Sequence, residues 1–374
     1  MNIKKICGLL TALFIFFAAQ TSNAEHKLAN NKIGQMIMIG FRGTTVTPDH
    51  HIWQDIEKGK IGGVVLFDYD LENKKYGRNI KSPAQLKQLC STLQDIDDSL
   101  LLIAVDQEGG KVRRLKTDTG FPELPSPSEM GKRDKKYTYQ KGRETGKILS
   151  RMGINLDFAP VADVNTNPEC PVIGALGRSF SENPCQVVEH CRAFISGLNQ
   201  FGVAGCLKHF PGHGSSRNDS HLGLTDVTQT WQKKELIPYE KLIKSQLLFA
   251  VMTGHLFNAK LDKKYPASIS RKTLHMLRQG LKCQRPIITD DLQMKAITDH
   301  FGLKTVIEKA LSAGSDILLF GNNLEYEPDI ASKALKIINQ LLEEGKITRE
   351  RLEQSVRRIQ TFKKEITRVN EPSK

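Results

Sequence analysis

The sequence predicts an α/β fold: a single (β/α)8 barrel of the TIM type with a C-terminal helical extension. Three observations predict it. Seven near-continuous apolar runs rich in β-branched residues recur along the chain, amphipathic helical stretches lie between them, and six of the runs end in polar side chains. Runs without polar alternation fit strands buried on both faces. Strand alternating with helix fits a parallel sheet.

The first 24 residues stand apart from that pattern. Lys4 and Lys5 precede an apolar run from Ile6 to Ala19, and a small-residue exit follows at Ser22, Asn23 and Ala24. This is the layout of a cleavable secretory signal. The run falls short of the roughly twenty apolar residues that span a bilayer, so cleavage is expected rather than anchoring, and an exported, periplasmic or secreted, location follows. Removal of this leader leaves 350 residues with a formal charge of +11, because it holds two lysines and no acid. No later apolar run is long enough to cross a membrane, so stable membrane insertion is not expected. The basic residues are scattered, without the Lys/Arg blocks and interleaved aromatics of a nucleic-acid reader. Anionic surroundings such as wall polymers are compatible with that charge.

From the N-terminal side, KIGQMIMIGF (32–41) supplies an eighth strand or a helix. The strands that follow are IGGVVLF (61–67), LLLIAV (100–105), INLDFAPV (154–161), VAGCLKHF (203–210), LLFAVMTGH (247–255), PIITDD (286–291) and DILLFGNN (316–323). Helical stretches such as 82–96, 183–201 and 304–314 open on Ser or Asn in capping positions and several close on Gly. The tail 329–369 is charged, helical in period and strand-free, and should wrap the outside. No internal repeat and no Pro/Ser linker divides residues 25–374, which read as one barrel domain. Six cysteines follow the leader. In an oxidising compartment Cys170 and Cys185 are close enough in sequence to close a short loop, although none of the six is forced into a disulfide.

The polar residues after the strands are Asp106, Gln107 and Glu108; Asp163 and Asn165; Lys208 and His209; His255; Asp290 and Asp291; and Asn322 and Asn323. In a barrel, such positions gather at one mouth. The densest segment is 208–224, which holds Lys208, His209, His213, Asp219 and His221 among Pro211, Gly212 and Gly214. Asp219 stands two residues from His221, and a carboxylate there can fix the imidazole tautomer and raise its basicity. An Asx-turn with a solvent-facing His is the alternative. His209 and His213 have the i, i+4 spacing of a helical zinc site, but Pro211 and Gly212 forbid helix there, so no metal is expected. No GxSxG motif and no poised cysteine supports a serine or cysteine nucleophile. By strand alternation Asp290 and Asp291 point to opposite sides, so one of them can face the mouth. A carboxylate on a strand end with a second proton carrier on a loop is the minimum for two-step glycosyl transfer.

Five motifs, in order, are VDQEGGKVRRL (105–115), INLDFAPVADVN (154–165), IGALGRSF (173–180), KHFPGHG with DSH (208–214, 219–221) and ITDDLQMKA (288–296). Together they resemble glycoside hydrolase family 3, and within it the bacterial β-N-acetylglucosaminidases of the NagZ type. The resemblance implies a (β/α)8 barrel and a retaining exo-β-N-acetylglucosaminidase acting on terminal non-reducing GlcNAc of peptidoglycan fragments, muropeptides or similar glycans, without a cofactor. It implies Asp290 as nucleophile and His221 as acid/base, with Asp219 orienting it. Asp106, Arg114, Arg178, Lys208 and His209 match positions that hold the terminal sugar's hydroxyls, which suits cationic donors and a carboxylate acceptor. A monomer is the default expectation. Another donor sugar, transfer to phosphate, or a non-catalytic wall-binding barrel are the alternatives. Thr289 stands where the family more often has Ser. The segment DYDLENKKYGR (68–78) is longer than in the compact cytoplasmic members and should reshape one wall of the mouth.

Overall fold

The computed structural model describes residues 32–218 and 223–370. The leader, Asp219 and His221 lie outside the described residues. Eight parallel strands form the barrel: β1 (Ile37–Gly40), β2 (Gly63–Leu66), β3 (Leu102–Val105), β4 (Leu156–Asp157), β5 (Gly205–Phe210), β6 (Phe249–Thr253), β7 (Ile287–Thr289) and β8 (Leu318–Phe320). One ladder runs β8-β1-β2-β3-β4 and another β7-β6-β5. Two seams close the ring. Between β4 and β5 the Cys206 N–H donates to the Ala159 carbonyl at 2.7 Å, and between β7 and β8 the Thr289 N–H donates to the Ile317 carbonyl at 3.0 Å. The ambiguity at 32–41 is thereby settled. Residues 32–34 make one helical turn, and Ile37–Gly40 pairs in parallel with both β8 and β2.

Besides the short helices Pro127–Gly131 and Lys295–Thr298, the helices are α1 (His51–Glu57), α2 (Pro83–Gln94), α3 (Lys135–Met152), α4 (Pro184–Asn199), α5 (Ile237–Leu242), α6 (Arg271–His275), α7 (Leu303–Ala313), α8 (Ile330–Glu343) and α9 (Arg349–Asn370). Their starts follow local chemistry. Ser82 accepts from the Gln85 N–H at the head of α2, and Asn183 from the Cys185 N–H at the head of α4, each followed by Pro at the first helical position.

The tail differs in detail from the sequence expectation. Its first part, α8, is the eighth barrel helix. Only α9 is an extension, and it packs outside the barrel against α7 and the residues just before β8, β1 and β2. Leu352, Val356, Ile359, Phe362 and Ile366 make a buried stripe at helical spacing. Lys363 Nζ donates to Gln35 Oε1 at 2.6 Å and to the Gly62 carbonyl at 3.0 Å. Ser355 and Arg358 both reach Asp316, just before β8. The cavity lies at the opposite end, at the carboxyl ends of the strands.

All six described cysteines are free. Cys170 is buried, with Sγ 3.1 Å from Ser216 Oγ, while Cys185 is exposed in the first turn of α4. The short loop between them is therefore not closed by a disulfide.

Candidate active site

At the carboxyl ends of the strands lies a cavity of about 340 Å³, within the size range of small-ligand sites. The six candidate site residues that fall among the described residues, Asp106, Arg114, Arg178, Lys208, His209 and Asp290, all line it. They arrive from β3, the segment after β4, β5 and β7, so the convergence is a product of the fold and not of sequence proximity.

The cavity base is a network of charges. Lys208, at the end of β5 and only 2 % exposed, donates from Nζ to Asp106 Oδ1 and pairs with Glu108 Oε1, both at 2.7 Å. Arg114 Nη2 donates to the other Asp106 oxygen at 3.1 Å. Arg178 forms a two-pronged pair with Glu108, Nε and Nη2 each at 2.7 Å, and gives Nη1 to the Val172 carbonyl. Burial works to raise the Asp106 and Glu108 carboxyls, but the adjacent cations outweigh it and hold both below the usual carboxylate range. Burial likewise works to lower Lys208 and Arg178, and the same carboxylates override it. All four are charged at neutral pH, a fixed array facing a sugar-sized space. Asp106, with its outward edge on the cavity, is an acceptor for hydroxyls; Lys208 and Arg114 are donors.

Two residues of this array carry roles that sequence reasoning did not assign. Glu108 is fully buried and joins Lys208 to Arg178. Two positions from Asp106 on an extended segment, it faces the same side, and that spacing was the available signal. Asp163, also buried, accepts from His209 Nδ1 at 2.7 Å and from the backbone N–H groups of His209 and His213 at 3.0 and 2.8 Å. It therefore fixes the His209 ring with the proton on Nδ1 and turns Nε2 toward the cavity, 3.5 Å from Arg178 Nη2. Burial raises and the His209 contact lowers the Asp163 carboxyl, with a net downward shift.

Both aspartates after β7 line the cavity, held by different contacts. Asp291 accepts from the Gly321 N–H at 2.8 Å and the Gln293 N–H at 3.0 Å, which braces the loops after β7 and β8. Asp290 donates its N–H to the Thr253 carbonyl on β6, and its Oδ1 accepts from the Asp291 N–H at 2.9 Å. Its backbone and one carboxylate oxygen are thus each held at the cavity wall. Thr289 is structural: its Oγ1 accepts from the Leu319 N–H at 3.0 Å.

The segment after Lys208 folds back tightly. A Cβ on Gly214 would fall 1.8 Å from the Val164 carbonyl oxygen, and Gly212, at φ +127, would press one onto Glu235. His213 is buried and lines the cavity. Its Nδ1 meets Ser216 Oγ at 2.8 Å. Burial, then the nearby His209, lowers its pKa to about 4, so it is neutral at physiological pH. Asp219 and His221 follow this turn, outside the described residues.

The wall after β2 is a short hairpin, Tyr69–Asp70 paired with Lys75–Tyr76. Tyr69 and Leu71 line the cavity, as expected for the long segment 68–78. Asp70 ties the hairpin down by accepting from Arg42 Nε at 2.7 Å and Arg78 Nη1 at 2.8 Å.

Comparison with known proteins fits this geometry. Residues 28–362 match the glycosyl hydrolase family 3 N-terminal domain. Beta-hexosaminidase A of Pseudoalteromonas piscicida is 31 % identical over 391 residues, covering 94 % of this chain and 63 % of that protein. A family 3 beta-N-acetylglucosaminidase structure from a Paenibacillus species superposes with a TM-score of 0.82 at 32 % identity, covering 92 % of this chain and 64 % of the other. The beta-N-acetylhexosaminidase structure from Beutenbergia cavernae gives a TM-score of 0.80 at 25 % identity, covering 90 % and 98 %. The chain thus spans a little under two thirds of the first two relatives.

Proposed function

The chain belongs to glycosyl hydrolase family 3, and on that footing we propose that it is a retaining exo-β-N-acetylglucosaminidase acting on terminal β-linked GlcNAc of peptidoglycan fragments and similar glycans. The observation that carries this reading is the convergence of Asp290 with the Asp106–Lys208–Arg114 array in one cavity at the barrel mouth, which contains every described site residue. The leader at 1–24 supports action outside the inner membrane.

In the first step Asp290 attacks the anomeric carbon and the bond to the leaving oxygen breaks. His221, held by Asp219, gives that oxygen a proton. In the second step His221 takes a proton from water, the water oxygen attacks the same carbon, and Asp290 departs as carboxylate. Asp106, Lys208, Arg114 and His209 hold the sugar hydroxyls, with Asp163 and Glu108 holding the holders. A neutral imidazole adds no negative charge beside the glycosyl ester. No metal or cofactor enters the scheme.

The test is hydrolysis of an aryl β-GlcNAc by the purified protein, with and without inorganic phosphate. Release of GlcNAc at a rate indifferent to phosphate is expected. No release at any pH would refute the assignment, and accumulation of GlcNAc 1-phosphate would redirect it to phosphorolysis. His221→Ala should retain much more activity on an activated aryl glycoside than on a natural disaccharide, because a good leaving group needs less protonation; equal losses would remove His221 as the acid.

A further inference from the structure

The turn 209–216, which brings His209 and His213 to the cavity, packs against two buried carboxyl groups. Asp163 is one. The other is Glu235, in the short 3-10 turn Lys233–Leu236 that leads into α5. A Cβ on Gly212 would fall 2.7 Å from Glu235 Cβ and 2.9 Å from its Oε2, so the backbone of the turn lies directly on this side chain, an approach that only glycine permits. Trp231 Nε1 donates to the Pro211 carbonyl at 3.1 Å and ties the same two segments together. Ser215, also buried, directs its hydroxyl toward the Glu235 carboxyl.

The two carboxyls are served differently. Asp163 receives three N–H donors, from His209 Nδ1 and from the backbone of His209 and His213. Glu235 receives one, the Gln232 N–H at 3.0 Å from Oε1, and its Oε2 has no hydrogen-bond partner among the described residues. The groups around it supply little counter-charge. Asp163 adds a like charge, and Tyr239, one helical turn on, is kept neutral by burial, as are the Cys191 and Cys206 thiols near that ring. In the turn itself His209 is committed to Asp163 and His213 is neutral. Lys234, a cation whose side chain is exposed, acts only weakly. A buried carboxyl with one donor is stable as the acid and costly as the anion, in keeping with burial pushing its pKa up to about 7.

We propose that Glu235 is a positioning residue for the 209–216 turn: as the neutral acid it lets Gly212 and Ser215 rest on it, and as the anion it displaces them, so that the site is assembled only over a protonated Glu235. This rests on the glycosidase reading of the cavity, because cleavage is the readout. The test follows kcat/KM for GlcNAc β-fluoride, whose leaving group needs little protonation, from about pH 5.5 to 8.5 in the unaltered chain, Glu235→Gln, Ser215→Ala and His221→Ala. The value for the unaltered chain should fall about 10- to 30-fold toward the alkaline end, the loss expected when one group of pKa about 7 must stay protonated. Glu235→Gln, a neutral amide of the same shape, should abolish that fall. Ser215→Ala removes a hydroxyl that favours the anion and should move the fall to higher pH. The fall should persist in His221→Ala, which has no imidazole at that position to titrate. A flat profile for the unaltered chain, a fall absent from His221→Ala, or a fall unchanged in Glu235→Gln (in Ser215→Ala, should the amide variant not fold) would overturn the role of Glu235 and leave the glycosidase reading intact. Failure of the unaltered chain to cleave the fluoride at any pH would instead overturn that reading, and this role with it.

Discussion

Replacing Glu108 by Gln removes one negative charge from the centre of the cavity base. The carboxylate is fully buried and receives three close contacts from cations, two from Arg178 and one from Lys208, each at 2.7 Å. Without it, Lys208 remains buried with Asp106 and Arg178 with Asp163 and Asp106 as the remaining opposite charges, and only one amide oxygen replaces two carboxylate oxygens. Breaking a buried ion pair from one side costs about 3–5 kcal/mol. At about 2 °C per kcal/mol for a chain of this size, the melting temperature should drop by about 6–10 °C at neutral pH. The pH dependence has a definite sign. The Glu108 carboxyl is held below its ordinary value, so its contribution is complete above the ordinary glutamate pKa of about 4.3 and is lost as pH falls through the lower, folded-state value. The gap between the two proteins should therefore stay constant from about pH 5 to 8 and narrow in stronger acid. Calorimetric melts across that range provide the measurement. A variant melting within about 1 °C of the original at pH 7, or a gap that widens on acidification, would refute the reasoning.

Asp163→Asn turns an amide donor or a weaker acceptor toward His209 Nδ1. Loss of a charge-assisted bond worth about 1.5–3 kcal/mol should lower kcat/KM roughly 10- to 100-fold, and unchanged steady-state constants would reduce His209 and Asp163 to structural parts. Glu235 is buried behind Gly212, with its pKa pushed up to about 7 by burial. A raised carboxyl favours the neutral form in the fold, so ionisation destabilises the native state as pH climbs from about 4.3 to about 7. Glu235→Gln should accordingly stabilise by about 1–3 kcal/mol at pH 8.5 and by little near pH 4.5; melts showing the larger gain in acid would contradict it.

The strands were legible because both faces of each are buried, which writes an uninterrupted apolar run into the chain. The segment MIMIGF was ambiguous for the same reason, since a short run buried on all sides has no period; pairing with β8 and β2 decides it. The apolar stripe of α9 was visible, but a stripe does not say which surface it covers. That depended on Asp316, Gln35 and Gly62, far apart in sequence. In the site, residues aimed at the cavity were recognisable from motif resemblance. Glu108 and Asp163 were visible as polar strand endings, yet their roles were not, because they act on other side chains whose positions only the closed barrel defines. His213 lies in the tight turn packed on Val164, and only the closed barrel shows that its imidazole lines the cavity. The hairpin at 69–76 could be seen as extra length, whereas its locked base needed the contacts of Asn323, Arg42 and Arg78.

Covalent catalysis by Asp290 is the central proposal. Incubation with a 5-fluoro derivative of GlcNAc β-fluoride, which forms a glycosyl ester and turns it over slowly, followed by peptide mapping, tests that claim directly. The prediction is one added sugar per chain, located on Asp290 and absent from Asp290→Asn. A stable label on another residue, or turnover of the reagent by Asp290→Asn at the original rate, would contradict it.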